Sequence, residues 1–325
     1  VTDSLDFTTP AAPPPPTARP ATAPASASPL ARLQAKLATL DLSSMPRVSP
    51  VASRLAAMGP DDLESSKEFC ALIEQEPICV ARLIGLANSV AYGAPGKKFN
   101  NLEQAVLRIG LERAAQIAFG MLCGQAINKG LSPQWREFLW LHAIAVAHGA
   151  SLLANKVNPQ ERANAYLAGM IYDIGTLVIE CLQPGTLDLL LQTAENRGLK
   201  LGRVENAMLG KARKAVTHAL LDRWSLPTDI VVGIAERDPG AIDMNSLSAI
   251  LALADEMARS GTVLGSVYAD TPAPFVLDSI VVEDFSPQLT ALVSCGDADL
   301  EKITERLADQ VQVLRSTAQS FSDVA

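Results

Sequence analysis

Apolar residues recur along most of this chain at helical spacing. Leu30, Leu33, Leu37 and Leu40 fall at i, i+3, i+7 and i+10, on one stripe of a helix. The same period predicts short helices over 50–58 and 63–73, parted by Gly59-Pro60. Another is expected over 78–89, with Val80, Leu83, Ile84 and Leu86 on its apolar side. Asn101-Leu102-Glu103-Gln104 has the form of a capping box, with Asn101 as N-cap and Gln104 reaching back. The helix it opens runs through Val106 and Ile109 to Gly110, and the next continues through Ile117 and Met121. Longer helices are predicted over 134–155, 160–171, 187–198 and 204–218. One over 246–260 buries Leu247, Ile250, Leu251 and Leu253. Ser286-Pro287 reads as a start, with Ser as cap and Pro in the first turn. The last helix, over 299–321, carries Leu300, Ile303, Leu307, Val311 and Leu314 at 3-4-4-3 spacing. Period-two alternation tempts only over 275–282, so the pattern predicts an all-α fold.

Composition changes this picture at the N-terminus. Residues 1–28 hold Pro10, Pro13, Pro14, Pro15, Pro16, Pro20 and Pro24 among Ala, Thr and Ser. Such a segment has too little apolar surface to offset the entropy of ordering it, and reads as a disordered tail or linker. Elsewhere the 325-residue chain is 48% hydrophobic, which excludes a wholly disordered protein. With 27 Lys and Arg against 35 Asp and Glu, the net charge is −8, which argues against a general nucleic-acid binder. Cys70, Cys79, Cys123, Cys181 and Cys295 are scattered and odd in number, with no C-x-x-C pair. They point to reduced thiols in a cytoplasmic protein, not to a metal finger or disulfide framework. No segment reads as a membrane span: the uncharged stretch 138–155 contains His142, His148, Gly149, Ser151 and Asn155. A basic region followed by an apolar run is absent at the N-terminus, so no secretory signal is expected.

Candidate chemistry is sparse. The chain has three histidines, His142, His148 and His218. The first two are six apart on one predicted helix, so their imidazoles do not share a face and cannot chelate together. Asp173 sits in the apolar run Ala168-Gly169-Met170-Ile171-Tyr172-Asp173-Ile174-Gly175, where burial demands a partner. The bland account is a cap bonding nearby backbone; the sharper one is a ligand or a polar core contact. Asn88, Ser89, Tyr92 and Gly93 suit the end of a helix and a turn at positive φ. The alternative is an interaction loop, with Lys97 and Lys98 beside an exposed Phe99. The C-terminal stripe fits a helix docked on its own domain, and equally a short seam for a homodimer.

These residues carry a family resemblance. Leu83-Ile84-Gly85-Leu86-Ala87-Asn88-Ser89-Val90-Ala91-Tyr92-Gly93 resembles the "LxxLANSAxYG" hallmark of the HDOD family. Asn101 through Val106, with Ile109-Gly110-Leu111, is similar to "SLEQAIxxLGL", and Trp140-Leu141-His142 to part of "FWxHS". Leu167 through Gly175 is similar to "LAGLLHDIG", Leu220 through Pro227 to "LLxRWxLP", and Leu253-Ala254-Asp255 to the late "LAD" helix. Six matches in the family's order are specific where one would be weak. The resemblance implies an HDOD domain over 29–265, made of an N-terminal helical half (29–130) and a half related to HD phosphohydrolases (131–265). The tail 1–28 precedes it and a C-terminal helical extension, 266–325, follows.

The resemblance also implies where a metal would sit. HD enzymes use a His, a His-Asp pair and a later Asp, which fall here on His142, Tyr172, Asp173 and Asp255. Tyr172 replaces the His of the pair, and a phenol with a pKa near 10 is a poor ligand at neutral pH. Arg213 and the run Glu236-Arg237-Asp238 stand where further histidines are expected, and His218 is offset. The positions therefore read as vestigial, with no catalytic residue, no metal and no cofactor. His142, Asp173 and Asp255 are expected to form a buried hydrogen-bonded cluster, and Asp173→Ala to cost about 1–3 kcal/mol. The family's bacterial members imply a non-catalytic signal-transduction module working through regulatory or signalling protein partners. The alternatives are a metal-dependent phosphohydrolase of a nucleotide or cyclic dinucleotide, and a nucleotide sensor without hydrolysis.

Overall fold

The chain's helices follow from its stripes and its punctuation. A computed structural model describes residues 29–41, 43, 45, 47–57, 66–89, 98–127, 131, 133–199, 201–224, 226–236, 242–244, 246–260, 263–264 and 285–322. The first half holds α1 (Pro29–Leu37), α2 (Pro50–Ala57), α3 (Ser66–Ile73), α4 (Pro77–Ala87), α5 (Leu102–Ile109) and α6 (Leu111–Ile127). Then come α7 (Pro133–Val157), α8 (Arg162–Met170), α9 (Ile174–Leu182), α10 (Thr186–Arg197) and α11 (Leu201–Arg223). Last are α12 (Thr228–Ala235), α13 (Leu247–Ala258), α14 (Pro287–Val293) and α15 (Asp297–Ser322). No strand occurs among the described residues, so the fold is all-α. Proline opens α1, α2, α4, α7 and α14, where its fixed φ suits the first turn and its missing N–H costs nothing. Asn101 caps α5 by accepting from the Gln104 N–H at 2.9 Å, and Ser246 caps α13 from Ala249 at 3.3 Å.

Helix α7 is the axis of the second half. Against it pack α8, α13 and α15; α11 packs on α9, α10 and α12. In the first half α2, α3, α4 and α5 gather on α6, and α6 reaches across to α8 and α9. Helix α1 lies on α10 and α11 instead of on its sequence neighbours. One apolar core runs through all of this, from Leu33 and Phe69 to Leu253 and Val311. The described part of the C-terminal stripe, Leu300, Leu307 and Val311, is buried, and α15 docks on α7 of its own chain. Where α7 crosses α8 the two backbones nearly touch. A Cβ on Gly169 would stand 2.6 Å from Ala147 Cα, so only glycine fits there.

Several expectations need correction. Helices α9 and α12 were not foreseen, and α11 extends beyond 204–218 at both ends. The stretches Phe138–Val157 and Pro159–Leu182 are long and apolar enough to cross a membrane by composition, although 67% and 72% of them is buried inside the protein. The tail 1–28, Gly59-Pro60, Tyr92, Gly93, Lys97 and the run 275–282 lie outside the described residues.

Candidate functional site

Three elements bring the vestigial positions together. Helix α7 supplies His142, 1% exposed; the irregular turn between α8 and α9 supplies Asp173; α13 supplies Asp255. His142 Nδ1 donates to Asp173 Oδ2 at 2.7 Å. His142 Nε2 lies 2.9 Å from Asp255 Oδ1, a contact between charges in which its N–H is out of line for a hydrogen bond. Asp173 stands at the N-cap of α9 but makes no cap bond; its carboxylate turns inward to His142, so the capping account is overturned. Gly175, two residues on, is required by crowding. A Cβ there would collide with Thr217 Oγ1 and meet the Arg213 backbone oxygen at 3.0 Å. Close approach of α9 to α11 thus sets the turn that aims Asp173.

A cation the sequence reading missed completes the site. Arg259, at the C-cap of α13 and one turn beyond Asp255, donates from Nε to Asp255 Oδ1 at 2.8 Å. Its terminal nitrogen lies 3.9 Å from Asp173 Oδ2 and 3.7 Å from Glu205 Oε2. Glu205, on α11, accepts from Thr176 Oγ1 at 2.6 Å, which ties α9 and α11 to the cluster. The signal was present in the sequence: an acid and a base at i, i+4 near a helix end.

Charge explains the titration. Burial alone would lower the His142 pKa, but the Asp173 charge and its hydrogen bond outweigh burial and the opposing Arg259, leaving it above 6.5. Burial would raise Asp255, yet Arg259 and His142 hold it down at about 2. Burial likewise works against the Arg259 cation, and Asp255, Asp173 and Glu205 more than compensate. The cluster is a set of mutually paired ions, each costly to leave alone.

One His nitrogen and two carboxylate oxygens, all within 4.8 Å of one another, are a donor set of the right kind for a metal ion. The arrangement does not fit one as it stands. A ligating imidazole turns a bare lone pair to the metal, whereas both nitrogens of His142 face carboxylate oxygens at 2.7 and 2.9 Å. The Asp255 oxygen that would ligate already binds the Arg259 guanidinium. Tyr172, in the place of the paired His, is buried in the apolar core.

The remaining candidates lie apart. His148 stacks edge-on with Tyr166 at 5.2 Å between centroids, and its Nδ1 sits 3.1 Å from an Arg113 nitrogen. Burial and the Arg113 charge push its pKa down to about 3, so it is neutral. His218 is half-buried on α11 and outside the donor set. Arg213 is buried with its side chain close to Gly175. Glu236 pairs with Lys214 at 2.6 Å, and Arg237 and Asp238 lie outside the described residues. In the first half, the Asn88 amide acts as a staple. It donates to the Phe99 and Ile84 carbonyls at 2.7 and 3.0 Å and accepts from the Phe99 N–H at 2.7 Å. Ser89 Oγ donates to the Leu86 carbonyl at 2.7 Å. Lys98 is exposed, but Phe99 is buried, so the expected exposed aromatic contact is corrected.

An all-helical bundle with a His, two Asp and a basic side chain converging beneath α7 is a site of HD-related type. The HDOD domain model matches residues 45–239, more than half of the chain, and the chain belongs to the HDOD family. No match is found among curated proteins. The fold is similar to an HDOD domain protein from Geobacter sulfurreducens, with TM-score 0.68 and 22% identity over 89% of this chain and 97% of that one. A presumed signal transduction protein from Marinobacter aquaeolei gives TM-score 0.66 and 18% identity, covering 89% of this chain and 64% of that longer one. A presumed phosphohydrolase from Shewanella amazonensis gives TM-score 0.61 and 19% identity, covering 89% and 98%.

Proposed function

We propose that this chain is a non-catalytic signal-transduction module that acts by binding regulatory protein partners. The observation that carries the reading is the Arg259 guanidinium on Asp255 at 2.8 Å, inside the one cluster that could otherwise have held a hydrolytic metal. A fixed cation there opposes a second cation, and a phosphoester hydrolase of this type needs its metal to acidify water. Membership of the HDOD family and the signal-transduction name of the Marinobacter neighbour agree with it. A surface for partners is offered by Leu107 on α5 and Ile78 on α4, 74% and 57% exposed on helices that pack together.

The competing reading is a metal-dependent phosphohydrolase, favoured by the convergence of His142, Asp173 and Asp255. Incubation of the full chain with phosphomonoesters, nucleotides and cyclic dinucleotides, each with Mn²⁺ or Fe²⁺, separates the two. The proposal expects no turnover above background, and a regulator from the source cell whose binding is lost in Leu107→Lys. Turnover that disappears in Asp173→Asn would establish the hydrolase instead.

A further inference from the structure

We propose that Arg259 holds shut a latent divalent-cation site formed by His142, Asp173 and Asp255, and that removing its charge opens that site. The inference rests on the non-catalytic reading of the cluster and adds its cause: one side chain does the electrostatic work of an ion.

The geometry supports this in three ways. First, the ligand atoms are already gathered. Two donors on one ion at about 2.0–2.2 Å from it lie no more than about 4.4 Å apart, so a 4.8 Å spread needs only tenths of an ångström of contraction. Second, the anions are provided for a cation. Asp173, Asp255 and Glu205 all face the Arg259 guanidinium, at 3.9, 2.8 and 3.7 Å. Without it, three carboxylates would share the space with His142 alone, a balance that draws in a cation. Third, the His142 Nε2 is buried, faces Asp255 and has no hydrogen bond in line with its N–H. Loss of one proton would turn that nitrogen into a ligand. One His and two carboxylates suit a first-row divalent ion such as Mn²⁺.

The test uses the full chain, with MnCl2 as the probe, read by calorimetric titration and by thermal midpoint. Wild type and Arg259→Lys, which both keep the positive charge, are expected to bind no stoichiometric Mn²⁺. Arg259→Gln is expected to bind one Mn²⁺ at least about 100-fold more tightly than wild type, the order of a repulsion removed at this range. The added substitution Asp173→Asn abolishes that binding. Should Arg259→Gln be unfolded alone, recovery of its helical signal on adding Mn²⁺ supports the proposal equally. Stoichiometric Mn²⁺ on the wild type overturns it. So does an Arg259→Gln variant, folded or not, that Mn²⁺ neither binds nor rescues. A wild type that captures no protein partner counts against the proposed function and leaves this result intact.

Discussion

His142 and His148 stand on the same helix, six residues apart, and both are buried. One lies between two carboxylates and has its pKa raised; the other faces Arg113 and is held at about 3. Burial acts on both in the same direction, against charge. The neighbours decide the outcome, and they come from different helices: α13 and the α8–α9 turn for His142, α6 and α8 for His148. A buried imidazole on an apolar helix is therefore a charged cluster member or a neutral packing element according to what the tertiary fold brings to it.

The largest effect that would break the comparison is loss of Asp173. Asp173→Ala leaves His142 and Arg259 with too few anions, and is expected to destabilise the chain by about 3–5 kcal/mol, the cost of unpairing a buried charge. Urea unfolding measures it; a change under 1 kcal/mol would show that the cluster does not hold the fold. The next effect is on pH. His142 has a raised pKa, so its contribution is full below 6.5 and is lost as pH rises through the folded value. His148 has a depressed one, so its contribution is full above 6.5 and fades as pH falls toward about 3. Each slope is at most about 1.4 kcal/mol per pH unit. His148→Asn should flatten the acid limb of stability against pH and leave the alkaline limb alone; His142→Asn should do the reverse. Equal changes on both limbs would count against the assignment.

Two smaller changes sharpen the contrast. Gly169→Ala forces α7 and α8 apart beside Ala147, the neighbour of His148, and is expected to cost about 1–3 kcal/mol by overpacking. The His142 resonances should stay in place in that variant, and their displacement would mean that the two nodes are coupled. Arg113→Met removes the charge facing His148. Its pKa should rise from about 3 yet remain below 6.5, because burial persists. Proton NMR of the ring reads this directly, and a pKa that does not move would assign the whole depression to desolvation.

Much of this fold was legible where one face of a helix is polar. The stripes of α1, α13 and α15, and the caps Asn101, Ser246 and Ser286, are local signals that tertiary contacts did not override. Helix α9, with Ile174, Val178 and Ile179 buried and hardly a polar side, offers no such period. Helix α12 carries Ile230-Val231-Val232, a β-branched run that propensity alone would not make helical. At the site, His142, Asp173 and Asp255 were found through the family motifs and the expense of burying Asp173. Arg259 was visible as an i+4 partner of Asp255, but its reach to Asp173 and Glu205 depends on α11 and the α8–α9 turn. Glu205 and Thr176 belong to no motif, and their pairing exists only once α9 and α11 meet.

The most direct test of the account is the protonation of the two imidazoles, read by nitrogen-15 NMR of the full chain at pH 6.5 before and after addition of Mn²⁺. The paired-ion cluster requires His142 mostly protonated on both nitrogens and His148 neutral, with neither changed by the ion. A neutral His142 whose signals vanish through paramagnetic broadening at one equivalent of Mn²⁺ would contradict it.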